Sequence, residues 1–133
     1  MLYRGRRLRR NPTLREMVRE TILRPEDLIM PYFVIETDQK NVRNPIAAMP
    51  GQFQLSLDAL EETVARDVGN GLRSCLLFGI PEEKDPVGSG AYDENGIVQQ
   101  AVRRLKKAFP RLQIVTDVCL CEYTSHGHCG LIT

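Results

Sequence analysis

The feature that most constrains this chain is an alternation. Three apolar runs are separated by two segments of helical periodicity. Two of the runs, Leu28–Ile35 (LIMPYFVI) and Ser74–Ile80 (SCLLFGI), are unbroken. Such runs suit strands buried on both faces. The third spans Leu112–Cys121. Between the first two, Ser56–Val68 places Leu57, Leu60, Val64 and Val68 on one helical face, and Gly69-Asn70-Gly71 stops it. Between the second and third, Asp93–Phe109 turns Val98, Ala101, Val102, Leu105 and Phe109 inward and Pro110 ends it. The order strand, helix, strand, helix, strand implies parallel strands joined by right-handed crossovers.

The fold class is therefore α/β. Two architectures satisfy the order: an open doubly wound sheet and the opening of a (β/α)8 barrel. No GxGxxG follows the first strand, which weakens a nucleotide-binding open sheet. A whole barrel needs about 250 residues, so a chain of 133 residues supplies about three of the eight strands. Pro31 inside the first run predicts a bulge or an edge position. Residues 38–54 are polar and rich in turn formers, which reads as a loop, and residues 81–92 read as a second.

Ahead of the first β/α unit lies a basic segment. Residues 1–24 hold eight arginines and two glutamates, a net of +6, while the whole chain sums to +1 and the remainder to −5. Arg4, Arg6, Arg7, Arg9 and Arg10 form an arm, and a helix follows. Asn11-Pro12-Thr13 opens that helix, with Thr13 and Glu16 at capping-box spacing. Leu14, Met17, Val18 and Ile22 carry its periodicity, and Pro25 closes it. The natural division is residues 1–24 as arm and helix, and 25–133 as the first β/α units. The arm is a solvated terminus, a nucleic-acid contact or a dock for an acidic neighbouring subunit. It is short, Tyr3 is its only aromatic and the rest of the chain is acidic, so nucleic acid ranks last. No apolar run nears the roughly 18 residues of a membrane span. No apolar stretch follows the basic N-terminus, so a secretory signal is not expected and a cytoplasmic setting is.

Chemistry concentrates in Asp117-Val118-Cys119-Leu120-Cys121-Glu122-Tyr123-Thr124-Ser125-His126-Gly127-His128-Cys129-Gly130. If the third strand runs through Cys121, Asp117, Cys119 and Cys121 share one face, at the strand's C-terminal end. That end is where α/β folds place their active sites. Gly127 then turns the chain and returns Cys129. Three thiolates make a zinc-type site with an open fourth position, unless a histidine closes it. The alternative is buried or redox-active thiols. A disulfide between Cys119 and Cys121 is disfavoured by their spacing. Cys75 lies within an apolar strand and reads as a core residue. Tyr92 and Tyr123 read as packing or loop anchors. Glu122 falls on the face opposite the cysteines, outside the ligand set.

The run DVCLCEYTSHGHCG closely resembles the metal-binding signature of porphobilinogen synthases. The resemblance extends over essentially the whole chain: RGRRLRRNPTLREMVRET resembles the family's N-terminal arm, and Ile29-Met30-Pro31-Tyr32-Phe33-Val34 its first barrel strand. Ala48-Met49-Pro50-Gly51, Phe78-Gly79-Ile80, and Asp85 with Gly88-Ser89 and Ala91 follow in the expected order. The resemblance implies a lyase of tetrapyrrole biosynthesis that condenses two 5-aminolevulinate molecules into porphobilinogen with loss of water. It implies the N-terminal part of a (β/α)8 barrel, in homo-oligomers, usually octamers, built through the arm. It further implies zinc on Cys119, Cys121 and Cys129, with His128 at the position of a second metal site in some members. Asp117 matches an orienting acid at the active-site floor. The family's Schiff-base lysines match none of Lys40, Lys84, Lys106 or Lys107, so the isolated chain is expected to be inactive. The alternative function is a non-catalytic zinc-binding or oligomerisation module.

Overall fold

In the computed structural model, residues 5–130 and Ile132 are described. Tyr3 and Arg4 of the arm lie outside them. The elements are α1 (Pro12–Met17), β1 (Met30–Ile35), β2 (Arg43–Pro45), β3 (Phe53–Leu55), α2 (Leu57–Gly69), β4 (Ser74–Ile80), α3 (Ile97–Ala108) and β5 (Gln113–Thr116). One sheet runs in the order β2-β3-β1-β4-β5. β1, β4 and β5 are parallel and joined through α2 and α3, as the alternation of the sequence requires. Register is continuous from Met30↔Cys75 to Ile35↔Ile80 and from Ser74↔Gln113 to Leu77↔Thr116.

The two helices cover one face of the sheet. Tyr32 and Val34 of β1 and Cys75 and Leu77 of β4 point to that face and are buried against Ala59, Leu60 and Val64 of α2 and Ile97, Ala101 and Leu105 of α3. The opposite face carries Phe33 and Phe78, stacked with ring centroids 5.2 Å apart, beside half-buried Leu76 and Ile80. In a barrel this is the inward face. Tyr32 donates its hydroxyl to Asp67 at 2.7 Å, so the one polar tip in the cluster is satisfied. Cys75 is a core residue, as expected, and burial pushes its thiol up to about 11.

The helix boundaries follow capping chemistry. Ser56 precedes α2, and its hydroxyl accepts from the Val42 N–H at 3.0 Å and donates to Asp58 at 2.5 Å. At the other end Gly71 sits at φ +106°, and the N–H groups of Gly71 and Leu72 return to the carbonyls of Val68 and Asp67. α3 starts at Ile97, later than the apolar spacing suggests, because Asp93–Gly96 closes a turn through the Gly96 N–H and Asp93 carbonyl at 2.9 Å.

Four expectations are corrected. First, α1 has six residues and is capped by the Asn11 side chain, which accepts from the Leu14 N–H at 2.9 Å; Thr13 is not the cap. Residues 18–24 are not helical, and Met17, Val18 and Ile22 are exposed. A short helix with no apolar partner gains nothing from extending its periodicity. Second, the stretch 38–54 contains the antiparallel pair β2–β3, with Arg43↔Leu55 and Pro45↔Phe53. Third, β1 is central in the sheet and unbulged at Pro31. β3 pairs with β1 only at Phe33 and Val34, so a Pro31 nitrogen facing that side removes no ladder bond. Fourth, β5 ends at Thr116, five residues before Cys121. Among the described residues no helix is long and apolar enough to cross a membrane.

Candidate metal centre

The cysteine segment begins where β5 stops. The Asp117 N–H still reaches the Leu77 carbonyl at 3.3 Å, and then the chain leaves the sheet. A turn follows in which the N–H groups of Tyr123 and Thr124 both donate to the Leu120 carbonyl at 2.9 Å. A second turn closes through the Gly127 N–H and Thr124 carbonyl at 3.2 Å, with Gly127 at φ +73°. These two turns, rather than the alternation of a strand, bring the thiols together. The Cys119 and Cys121 sulfurs are 2.8 Å apart, Cys119 and Cys129 3.0 Å, and Cys121 and Cys129 3.1 Å.

Mutual contact splits the thiols. Hydrogen bonding with Cys119 and then Cys121 brings the Cys129 thiol down to about 7, while hydrogen bonding with Cys121 and then Cys129 pushes Cys119 up to about 12. Of these two, Cys129 is therefore the sulfur that ionises more readily. Three soft donors converging on one point, with thiolate available near neutrality, match the chemistry of a zinc-type site. Among the described residues, no fourth ligand atom joins the three sulfurs as a group.

Asp117 is exposed, and it shares a second group with Cys119 and Glu122, whose ligand atoms lie within 4.8 Å of one another. Glu122 does not face away from the cysteines as strand alternation predicts. The turn after Leu120 carries it round to Cys119, and its Oε2 is buried without a hydrogen-bond partner. The signal available in the sequence was the acid itself, adjacent to Cys121. His128 is exposed. Its ring stacks on His126 at 6.1 Å, and it belongs to neither group. Tyr123 is buried and anchors the loop, and burial followed by the nearby charge of Glu122 and Asp117 raises its phenol above the usual range. Tyr92, expected to pack or anchor, is exposed instead, just past the turn at Ser89–Ala91. Lys40, Lys84, Lys106 and Lys107 are all exposed.

An open groove runs from α3 to this segment, lined by Val98, Val102, Thr116, Asp117, Cys119 and Tyr123. Fold and site together define a class: a mainly parallel α/β unit of barrel type with a thiol cluster just past the C-terminal end of β5. The comparisons make this particular. The family model of delta-aminolevulinic acid dehydratase matches residues 2–133, and the chain belongs to that family. It is 46% identical over 132 residues to the delta-aminolevulinic acid dehydratase of Ruminiclostridium josui, covering 99% of this chain and 63% of the relative. It is 50% identical over 129 residues to that of Staphylococcus epidermidis, covering 97% and 39%. The crystal structure of the enzyme from Toxoplasma gondii, in complex with the reaction product porphobilinogen, superposes with a TM-score of 0.88 at 32% identity, over 100% of this chain and 38% of that one. The fold is thus α/β, with a mainly parallel sheet that matches part of the (β/α)8 barrel. The chain spans between about two fifths and two thirds of the relatives' length.

Proposed function

We propose that this chain carries the metal-binding portion of a porphobilinogen synthase, the lyase that joins two 5-aminolevulinate molecules into porphobilinogen with loss of water. The observation that carries the reading is the meeting of Cys119, Cys121 and Cys129 within 3.1 Å at the C-terminal end of the parallel sheet. These three residues would hold zinc. When bound, the metal supplies Lewis acidity towards a carbonyl, hydroxyl or amine of the substrate.

The chain's own residues would prepare that contact. Asp117, exposed at the rim of the groove, would orient an amine or a water. Tyr123 is buried beneath the loop and lines the groove beside Cys119. His128 remains a candidate for a second metal site. The covalent steps require lysines that form Schiff bases, and such lysines need burial to depress their pKa. All four lysines here are exposed, so the 133-residue chain alone would not complete the reaction. The basic N-terminal segment would act in homo-oligomer contacts, its charge being opposite to that of the remainder. A cytoplasmic setting suits free thiols.

The test compares zinc content in the wild-type chain and in a Cys119→Ser, Cys121→Ser double variant, with each sample then given 5-aminolevulinate under reducing conditions. Wild type should hold about one zinc per chain, the variant close to none, and neither should form the pyrrole. Equal zinc in both would remove the assignment of the ligands. Turnover by the wild-type chain would make one of the exposed lysines catalytic.

A further inference from the structure

The stretch between the second and third cysteine is held by a loop from elsewhere in the chain. Residues 81–92 follow β4, and Asp85 forms a parallel bridge with Thr124. The Asp85 N–H donates to the Tyr123 carbonyl at 3.3 Å, and the Ser125 N–H donates to the Asp85 carbonyl at 2.9 Å. His126 Nε2 lies 3.2 Å from the Pro86 carbonyl. Within the cysteine loop, the buried Thr124 hydroxyl donates to the His128 carbonyl at 2.9 Å, one residue before Cys129.

The Asp85 side chain plays no direct part in the bridge. Its carboxylate accepts from the Val87 N–H at 2.8 Å, from the Ser89 N–H at 3.1 Å and from the Ser89 hydroxyl, so it shapes the loop that presents the bridge. Those hydrogen bonds also hold its pKa below the usual carboxylate range. The loop is cut to fit. A Cβ at Gly88, which sits at φ +64°, would stand 3.3 Å from the Thr124 methyl, and one at Gly90 would stand 3.4 Å from the Tyr123 ring. Both glycines face the two residues that follow Glu122.

We propose that Asp85 and Thr124 are positioning residues of the thiol cluster. Asp85 rigidifies the loop that clasps the cysteine segment, and Thr124 ties down its return, so that Cys129 meets Cys119 and Cys121 before any metal arrives. This rests on the reading of the three thiols as a metal site. The physical gain is preorganisation. Thiols from two limbs of a loose ten-residue loop must be ordered at the moment of binding, and that cost is subtracted from affinity. A loop already ordered by folding avoids it. Residues that orient metal ligands typically change affinity by about 10–100-fold.

The experiment is titration of the reduced 133-residue chain with Co(II), read by the thiolate-to-cobalt charge-transfer band, with thermal unfolding recorded in parallel. Thr124→Val and Asp85→Ala should each weaken cobalt binding by about tenfold or more. Thr124→Ser, which keeps the hydroxyl, should bind as wild type does. Val64→Ala opens a cavity in the core of α2, outside the clasp, and should lower the melting temperature while leaving affinity unchanged. Wild-type affinity in both Thr124→Val and Asp85→Ala overturns the proposal, as does an equal loss in Val64→Ala. A wild-type chain that shows no band overturns the metal reading and this proposal with it. A strong wild-type band kept in the variants overturns the positioning role alone.

Discussion

At the scale of single residues, small side chains decide where the chemistry sits. Gly79 lies in β4, where a strand interior ordinarily disfavours glycine. Any Cβ there would collide with the Tyr123 hydroxyl and with the Val98 side chain. The missing side chain is the space into which Tyr123 inserts, and Tyr123 stands between Cys121 and Thr124. Gly79→Ala should therefore destabilise the fold by about 2 kcal/mol, the usual cost of overpacking a core. Chemical denaturation measures it, and an unchanged midpoint would show that Tyr123 relocates without penalty. The three cysteines are legible as a group from their spacing, but turns rather than strand alternation bring them together. Side-chain alternation along a strand would have left Glu122 facing away. The structure instead bends after Asp117, and an i+3 turn brings Glu122 to Cys119.

At the scale of elements, periodicity was a reliable guide wherever a helix had a sheet to lie on. α2 and α3 bury the residues their spacing nominated: Leu60, Val64, Ala101 and Leu105. α1 follows the same periodicity, but none of its residues is buried and it stops after six. The difference is a packing partner, which local sequence does not encode. The entry to α2 offers a pH test. The Ser56 hydroxyl, and then the Asn41 N–H, donate to Asp58 and hold its carboxyl down to about 2. A depressed folded pKa contributes stability that is complete above the unfolded value of about 3.9 and is lost as pH falls towards about 2. In Asp58→Asn the stability of the chain should fall less steeply across that window than in wild type. Parallel slopes from thermal melts across it would show that Asp58 carries no linkage to folding.

At the scale of the whole molecule, charge is divided between the N-terminal 24 residues at +6 and the remainder at −5. Opposite ends of one chain can then attract between copies, an effect that salt screens. Removing residues 1–10 should move the solution mass towards the monomer, and raising the salt concentration should do the same to the intact chain. An identical sedimentation profile in all samples would count against the arm as a contact. The sequence by itself determined the alternation of β1, α2, β4, α3 and β5, their parallel arrangement and the grouping of the three thiols, because buried periodicity and ligand chemistry are properties of local residue order; the barrel rested on the family resemblance. Tertiary structure alone decided where β5 ends, that residues 43–55 form a hairpin on the edge of β1, and that a glycine-rich loop from Asp85 to Gly90 grips the cysteine segment. Each of these depends on which backbone groups find partners far along the chain, and no local pattern records that.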